Sequence, residues 1–180
     1  MDWTDYEVFD PGVDRPLAQV GRKEARAHFD KLMAEKEGRK EQLAALVARD
    51  NITLGGDDDS VSALDHWYRD HVEPRPGQPE LMVEEWYSVA NDMAVFLGDL
   101  AITATPWLHW ELYVWGKKNV SYHRPVLMGF RVANKRYNID VDATLLVIGH
   151  RQIKGMELDD EELVPFLHAV AAEAAGGVSP

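Results

Sequence analysis

The chain has 180 residues, no cysteine, and 31 acidic against 19 basic side chains, a formal net charge of −12. That length fits one domain, able to bury roughly 70% of its unfolded surface without a disulfide or metal staple. The missing cysteines exclude thiol catalysis, CxxC redox chemistry and thiolate-bound metal, and the acidic balance argues against general nucleic-acid binding, which needs a basic face.

The first residues, Met1 to Glu7, are acidic and have neither a basic n-region nor an apolar h-region, so no signal peptide is expected. The longest weakly charged apolar run, Met93 to Trp107, is broken by Gly98, Asp99 and Pro106 and falls short of a membrane span of about 20 residues. The expectation is a cytoplasmic protein, and the absence of cysteine agrees with a reducing compartment.

Residues 1–20 read as an arm, with Trp3, Tyr6 and Phe9 placed to pin it to a single domain over 21–180. A helix is predicted from about Arg22 to Arg49. Its apolar face (Ala25, Phe29, Leu32, then Leu43, Leu46, Val47) is interrupted by Lys36, Gly38, Arg39 and Lys40, where a bend is expected. A second helix follows the loop 51–59, capped by Asp59 or Ser60, with Val61, Leu64, Trp67 and Tyr68 inside. After a Pro/Gly connector, a third helix is predicted to open at Pro79. It carries a large ridge (Trp86, Val89, Met93, Phe96), a small ridge (Ala90, Ala94, Gly98) that lets a neighbour approach, and a polar stripe of Glu85, Ser88, Asp92 and Asp99. So little polar surface marks it as the central helix.

From Leu108 to Trp115 the period becomes two, which predicts a half-buried strand, with a short return strand at Val120 to His123. Val126 to Val132 and Tyr137 to His150 read as a hairpin turning at Asn134-Lys135. In that register Met128 faces Val141, and Asp140 and Asp142 lie on the solvent face. A last helix is predicted from the cluster Asp159-Asp160-Glu161-Glu162 to Gly176-Gly177, beginning nearer Val164 or kinking at Pro165. The predicted class is α+β: N-terminal helices, an antiparallel β-meander packed on a central helix, and a C-terminal helix.

Charge is unevenly distributed. From Leu112 to Lys154 there are eight basic residues and two acids, a net +6, which leaves −18 on the rest. The basic group, with Lys117, Lys118, Arg124 and Arg131 as its candidate anion-binding members, reads either as guards of sheet edges or as an anion site on an open sheet face. The acidic runs Asp57-Asp58-Asp59 and Asp159-Asp160-Glu161-Glu162 read either as helix caps or as a surface for a basic protein partner. Neither has the alternating spacing of a calcium loop. His109 and Glu111, two apart on one strand, form the best metal-ligating or acid–base pair, and need His123 or His150 to complete a site. The chain has no HExxH, GxSxG, P-loop or dinucleotide motif, and nothing identifies a nucleophile or requires a cofactor.

Phe96-Leu97-Gly98-Asp99-Leu100, then Trp110, Pro125-Val126-Leu127 and the apolar run Leu145 to Ile148 resemble a pattern in small bacterial proteins of unassigned function. Some of these are encoded beside polymorphic toxins as immunity proteins. The resemblance covers about residues 80–150 and implies a non-enzymatic inhibitor of a basic toxin, with no catalytic residue to carry over. The alternatives are a small enzyme or anion-binding module built on His109, Glu111 and the basic segment, and a scaffold component that self-associates. A protein partner is expected, and no membrane partner.

Overall fold

A computed structural model describes residues 1–176. The fold is α+β. Helix α1 spans Arg22–Ala48 and α2 spans Asp58–His71. A small hairpin, β1 Pro74–Arg75 and β2 Gln78–Met82, leads into α3 at Glu84–Ala104. Strand β3 (His109–Leu112) pairs antiparallel with β4 (Pro125–Met128), and α4 (Val141–Ile153) and α5 (Leu163–Ala174) complete the chain. No helix among the described residues is long and apolar enough to cross a membrane.

Helix α3 is central, as its apolar circumference predicts, and packs against α1, α4 and α5. Its large ridge enters the main core beside Tyr68, Leu145 and Leu163. Its small ridge receives Trp110 of β3, which lies so close that a Cβ on Gly98 would fall 2.0 Å from the indole Cζ2. The polar stripe turns toward α1. Lys36 and Lys40 both bond Asp99, at 2.9 and 2.7 Å, and Arg39 takes Asp92 through two parallel bonds of 2.7 Å. These are the residues that interrupt the apolar face of α1. The helix is unbroken through Gly38, because the interruption is a polar seam matched across to α3 and the helix has no reason to stop.

Helix α3 starts five residues after Pro79. That proline lies in β2, and the reversal is made at Gly77, whose φ of +79° suits glycine. Helix α2 is capped by Asp57, which accepts from Ser60 N at 3.0 Å, one turn earlier than Asp59 or Ser60. The start of α5 at Leu163 agrees with a helix proper beginning near Val164, with Pro165 inside its first turn. Its cap comes from α2: Asp65, fully buried, accepts from the backbone N–H of Glu162 at 2.6 Å and of Leu163 at 3.3 Å. Gly176 has a positive φ, and Gly177 lies outside the described residues.

The meander is the main correction. Val120 to His123 forms turns, with His123 at φ +65°. β4 ends at Gly129, where φ is +104° and a Cβ would strike Trp107 O. Only Ile139 returns to the sheet, bridging Leu127 through bonds of 2.8 and 3.1 Å, so the predicted Phe130–Ile139 register is three residues out. From Val141 the chain is helical. Asp140 is its N-cap, accepting from Ala143 N at 2.9 Å, and Val141, Leu145 and Ile148 bury one helical face. Asp140 is therefore buried, not on a solvent face. Within β3 the alternation does hold: Leu112 is buried and His109 exposed.

Candidate functional site

Residues 1–20 are built into the body. Trp3 packs edge-on against Trp86 at 5.1 Å. Tyr6 donates to Asp92 Oδ2 at 2.6 Å, and Arg39 donates to Glu7 O at 2.6 Å and to the oxygens of Tyr6 and Ser88 at 3.0 Å. Phe9 N donates to Ser88 Oγ at 2.8 Å. Burial raises the pKa of Asp92 and opposes the charge on Arg39. The paired carboxylate outweighs burial at Arg39 and holds the guanidinium above its ordinary value. This network fixes residues 6–11 as one wall of a cavity of about 540 Å³, whose other walls come from α1, α3, α4 and Trp110.

The cavity is apolar along Val8, Phe9, Leu32, Val95 and Leu146, and polar at its opposite side. There Arg124, immediately before β4, reaches between the first residues of α4. Its Nε donates to Asp140 Oδ2 at 2.5 Å and its Nη2 to Asp142 Oδ2 at 2.5 Å. Asp140 is held further by its own cap bond, whereas Asp142 Oδ1 makes no hydrogen bond within the described residues. Burial and the neighbouring Asp140 push Asp142 up to about 6 against the pull of Arg124. His28 of α1 bonds Pro11 O through Nδ1 at 2.9 Å, so its Nε2 is the acceptor, and burial lowers its pKa and keeps the ring neutral. Asn91 of α3 carries a buried Nδ2 with no partner. The Tyr87 hydroxyl lies 3.2 Å from His150 Nε2, whose ring bonds Leu146 O through Nδ1. Arg75 and Glu84 stand on the same lining. The side chains present suit ligand binding and proton exchange at Asp142, while the Ser88 hydroxyl on the same lining is engaged by Tyr6, Phe9 N and Arg39.

Of the candidate anion-binding, partner-binding and metal-ligating residues named from the sequence, Arg124 alone lines this cavity. Lys117 and Lys118 are exposed in the turn after β3, and Arg131 stacks on the Trp107 ring at 3.6 Å. The basic residues of the segment lie mostly in turns and irregular stretches, with Arg151 in α4, and form no open sheet face. His109 and Glu111 do share a face, 3.2 Å apart and largely exposed. Neither His123, buried, nor His150, bound to Tyr87, joins them, and no three metal-ligating side chains come together among the described residues.

The two acidic runs both lie against the α2–α5 pair. Glu161 accepts from Ser62 Oγ at 2.9 Å, Asp58 lies 3.0 Å from His168, and Arg69 donates to Asp159 O at 2.7 Å. Glu162 takes Asp159 N at 3.2 Å, while Asp59 and Asp160 remain exposed. Asp57 serves as a cap, and the rest form one acidic surface beside α2 and α5.

The cavity was missed because its polar groups come from five separate segments. Only the Asp140-x-Asp142 pair ahead of a 3.6-period apolar run hinted at a helix start that would bring two carboxylates together. No protein-family model matches the chain, and no curated protein or solved structure matches it either.

Proposed function

We propose that this chain binds a small organic molecule in the cavity between its N-terminal arm and α4. One observation carries the reading: a cavity of about 540 Å³ with a mainly apolar wall on which an arginine–carboxylate cluster, a neutral histidine and an unpartnered amide converge. Ligand sites combine that size with a few placed polar groups. Thermal-shift and calorimetric screening against a mixed metabolite panel tests it. Ligands that stabilise the wild type are expected to lose that effect in Leu146→Trp, which fills the cavity from α4. A panel without a single binder, or binders indifferent to Leu146→Trp, would refute it.

A second reading rests on the placement of both acidic runs along the α2–α5 pair. Asp58, Asp59, Asp160 and Glu161 would dock a basic protein, in keeping with the immunity-protein resemblance. Charge reversal of Asp59 and Asp160 to Lys should abolish co-purification with a basic toxin encoded beside this chain. An unchanged interaction would place the partner elsewhere.

A further inference from the structure

Building on the cavity reading, we infer that its ligand is an organic cation: an ammonium or amidinium on an apolar body, its charge taken by Asp142 Oδ1 and its body set against Trp110 and Phe9.

The argument is one of charge and of free valence. Two carboxylates share one guanidinium. Arg124 gives its Nε to Asp140 and its Nη2 to Asp142, so the cluster carries one negative charge in excess. Its remaining Nη1 belongs to a cation already doubly countered. Arg75 and Glu84 on the same lining cancel in charge, so an anion entering here would meet the excess negative charge of the Asp140–Asp142–Arg124 cluster and would have to displace a 2.5 Å bond to reach Arg124. A cation meets a carboxylate oxygen that no described residue uses.

The neighbouring groups favour the same sign. His28 bonds Pro11 O through Nδ1, and its neutral ring adds no positive charge to that of Arg124 beside Asp142. Trp110 is fixed by its Nε1 bond to Asp99 at 3.0 Å and lines the cavity, offering an aromatic surface that attracts a cation or stacks with an apolar ring. Asn91 Nδ2, a buried donor on the lining without a partner, admits an oxygen on the ligand beside its charge. The Asp142 carboxylate is only partly exposed, and the lower local dielectric strengthens its pairing with a cation.

Protonation of Asp142 opposes binding. The charged and titratable groups about it are Arg124 and Asp140 at the base, Tyr68 from α2, His28 from α1, Tyr87 and Glu84 from α3, Arg75 from β1 and His150 on α4. With its pKa near 6, Asp142 takes a proton as the solution is acidified and the site loses its charge.

Calorimetry with tryptamine, indole-3-propionate and 3-ethylindole compares cation, anion and neutral molecule on one body. At about pH 7.5 the amine should bind at least about tenfold more tightly than either other probe. That preference should fall to less than about threefold in Asp142→Asn, and wild-type affinity for the amine should drop about tenfold by pH 5. The acid arm uses the wild type alone, so the test stands if the variant fails to fold. Equal binding of the three probes, or tightest binding of the propionate, overturns the cation inference and leaves the cavity reading intact. Binders of other chemistry from the panel with no binding of tryptamine do the same. No binder of any kind overturns both.

Discussion

Replacing Arg39 with methionine tests the link between the buried charge network and the arm. The Arg39 side chain is 5% exposed and that of Asp92 is 0%. Methionine keeps most of the aliphatic length but removes both bonds to Asp92 and those to Glu7 O, Tyr6 and Ser88. Asp92 is left with Tyr6 as its remaining partner in the network. Breaking a buried pair from one side costs about 3–5 kcal/mol, because the orphaned charge stays in low dielectric. Against a typical total of about 5–15 kcal/mol, this removes roughly a fifth or more of the stability. Urea unfolding should show the loss as a lower midpoint at an unchanged slope. Limited thermolysin digestion should open near Phe9, whose backbone is tied to the same Ser88 oxygen. The double variant Arg39→Met/Asp92→Leu should recover at least half of the loss, since an apolar replacement of both partners leaves no stranded charge. A single variant that loses less than about 1 kcal/mol, or a double variant as unstable as the single, would refute the reasoning.

Gly98→Ala should lower the thermal midpoint by about 2–6 °C: the intruding Cβ costs about 1–3 kcal/mol or more against an indole held by Asp99, beyond the ~1 kcal/mol gained in helix propensity. A raised midpoint in differential scanning fluorimetry would show that the ring does not sit there. Asp65→Ala should destabilise by about 1–2 kcal/mol and speed hydrogen exchange at residues 162–166 while α1 stays protected, since Asp65 caps α5 from outside the helix; uniform acceleration would count against that role. Asp142→Asn tests the raised pKa without any ligand. The folded state holds the Asp142 proton up to about pH 6 and the unfolded chain only to about pH 4, so the wild type loses stability as pH rises through that window. The variant has no such loss. Its stability relative to wild type should improve by on the order of 2 kcal/mol from pH 4 to pH 7, and urea midpoints drifting the other way would contradict the assignment.

The sequence makes the helical layer legible because long 3.6-period stretches are hard to mistake. The central place of α3, its small ridge and its polar stripe are all readable from residues 84–104. The partner of that stripe is not. Lys36, Arg39 and Lys40 look like a break in α1, and nothing local says that they match Ser88, Asp92 and Asp99 on another helix. Residues 140–150 fail for a different reason. Val141, Thr144, Val147 and Ile148 are β-branched, and Asp140 and Asp142 alternate with apolar neighbours, so a period of two fits their start as well as a cap followed by a helix. Length favoured the helix: Tyr137 to His150 is 14 residues, long for a strand. The cavity inherits that error, because its polar side exists only when Asp142 begins a helix rather than facing solvent on a hairpin.

The same buried acids that complicate the reading explain why the fold is committed to one arrangement. Asp65 joins α2 to the start of α5, Asp92 joins α3 to α1 and the arm, and Asp140 joins the start of α4 to Arg124. Each ties segments distant in sequence, and each is costly when mispaired, whereas apolar contacts tolerate substitution of one neighbour for another. In Asp65, Asp92 and Asp140 the chain's protein partners are two backbone N–H groups, a guanidinium with a phenol, and a guanidinium with a cap. Asp65 also keeps one oxygen without a partner, but inside the core, whereas Asp142 lines the cavity. A half-satisfied carboxylate on the lining of a cavity is the feature from which the ligand's charge follows.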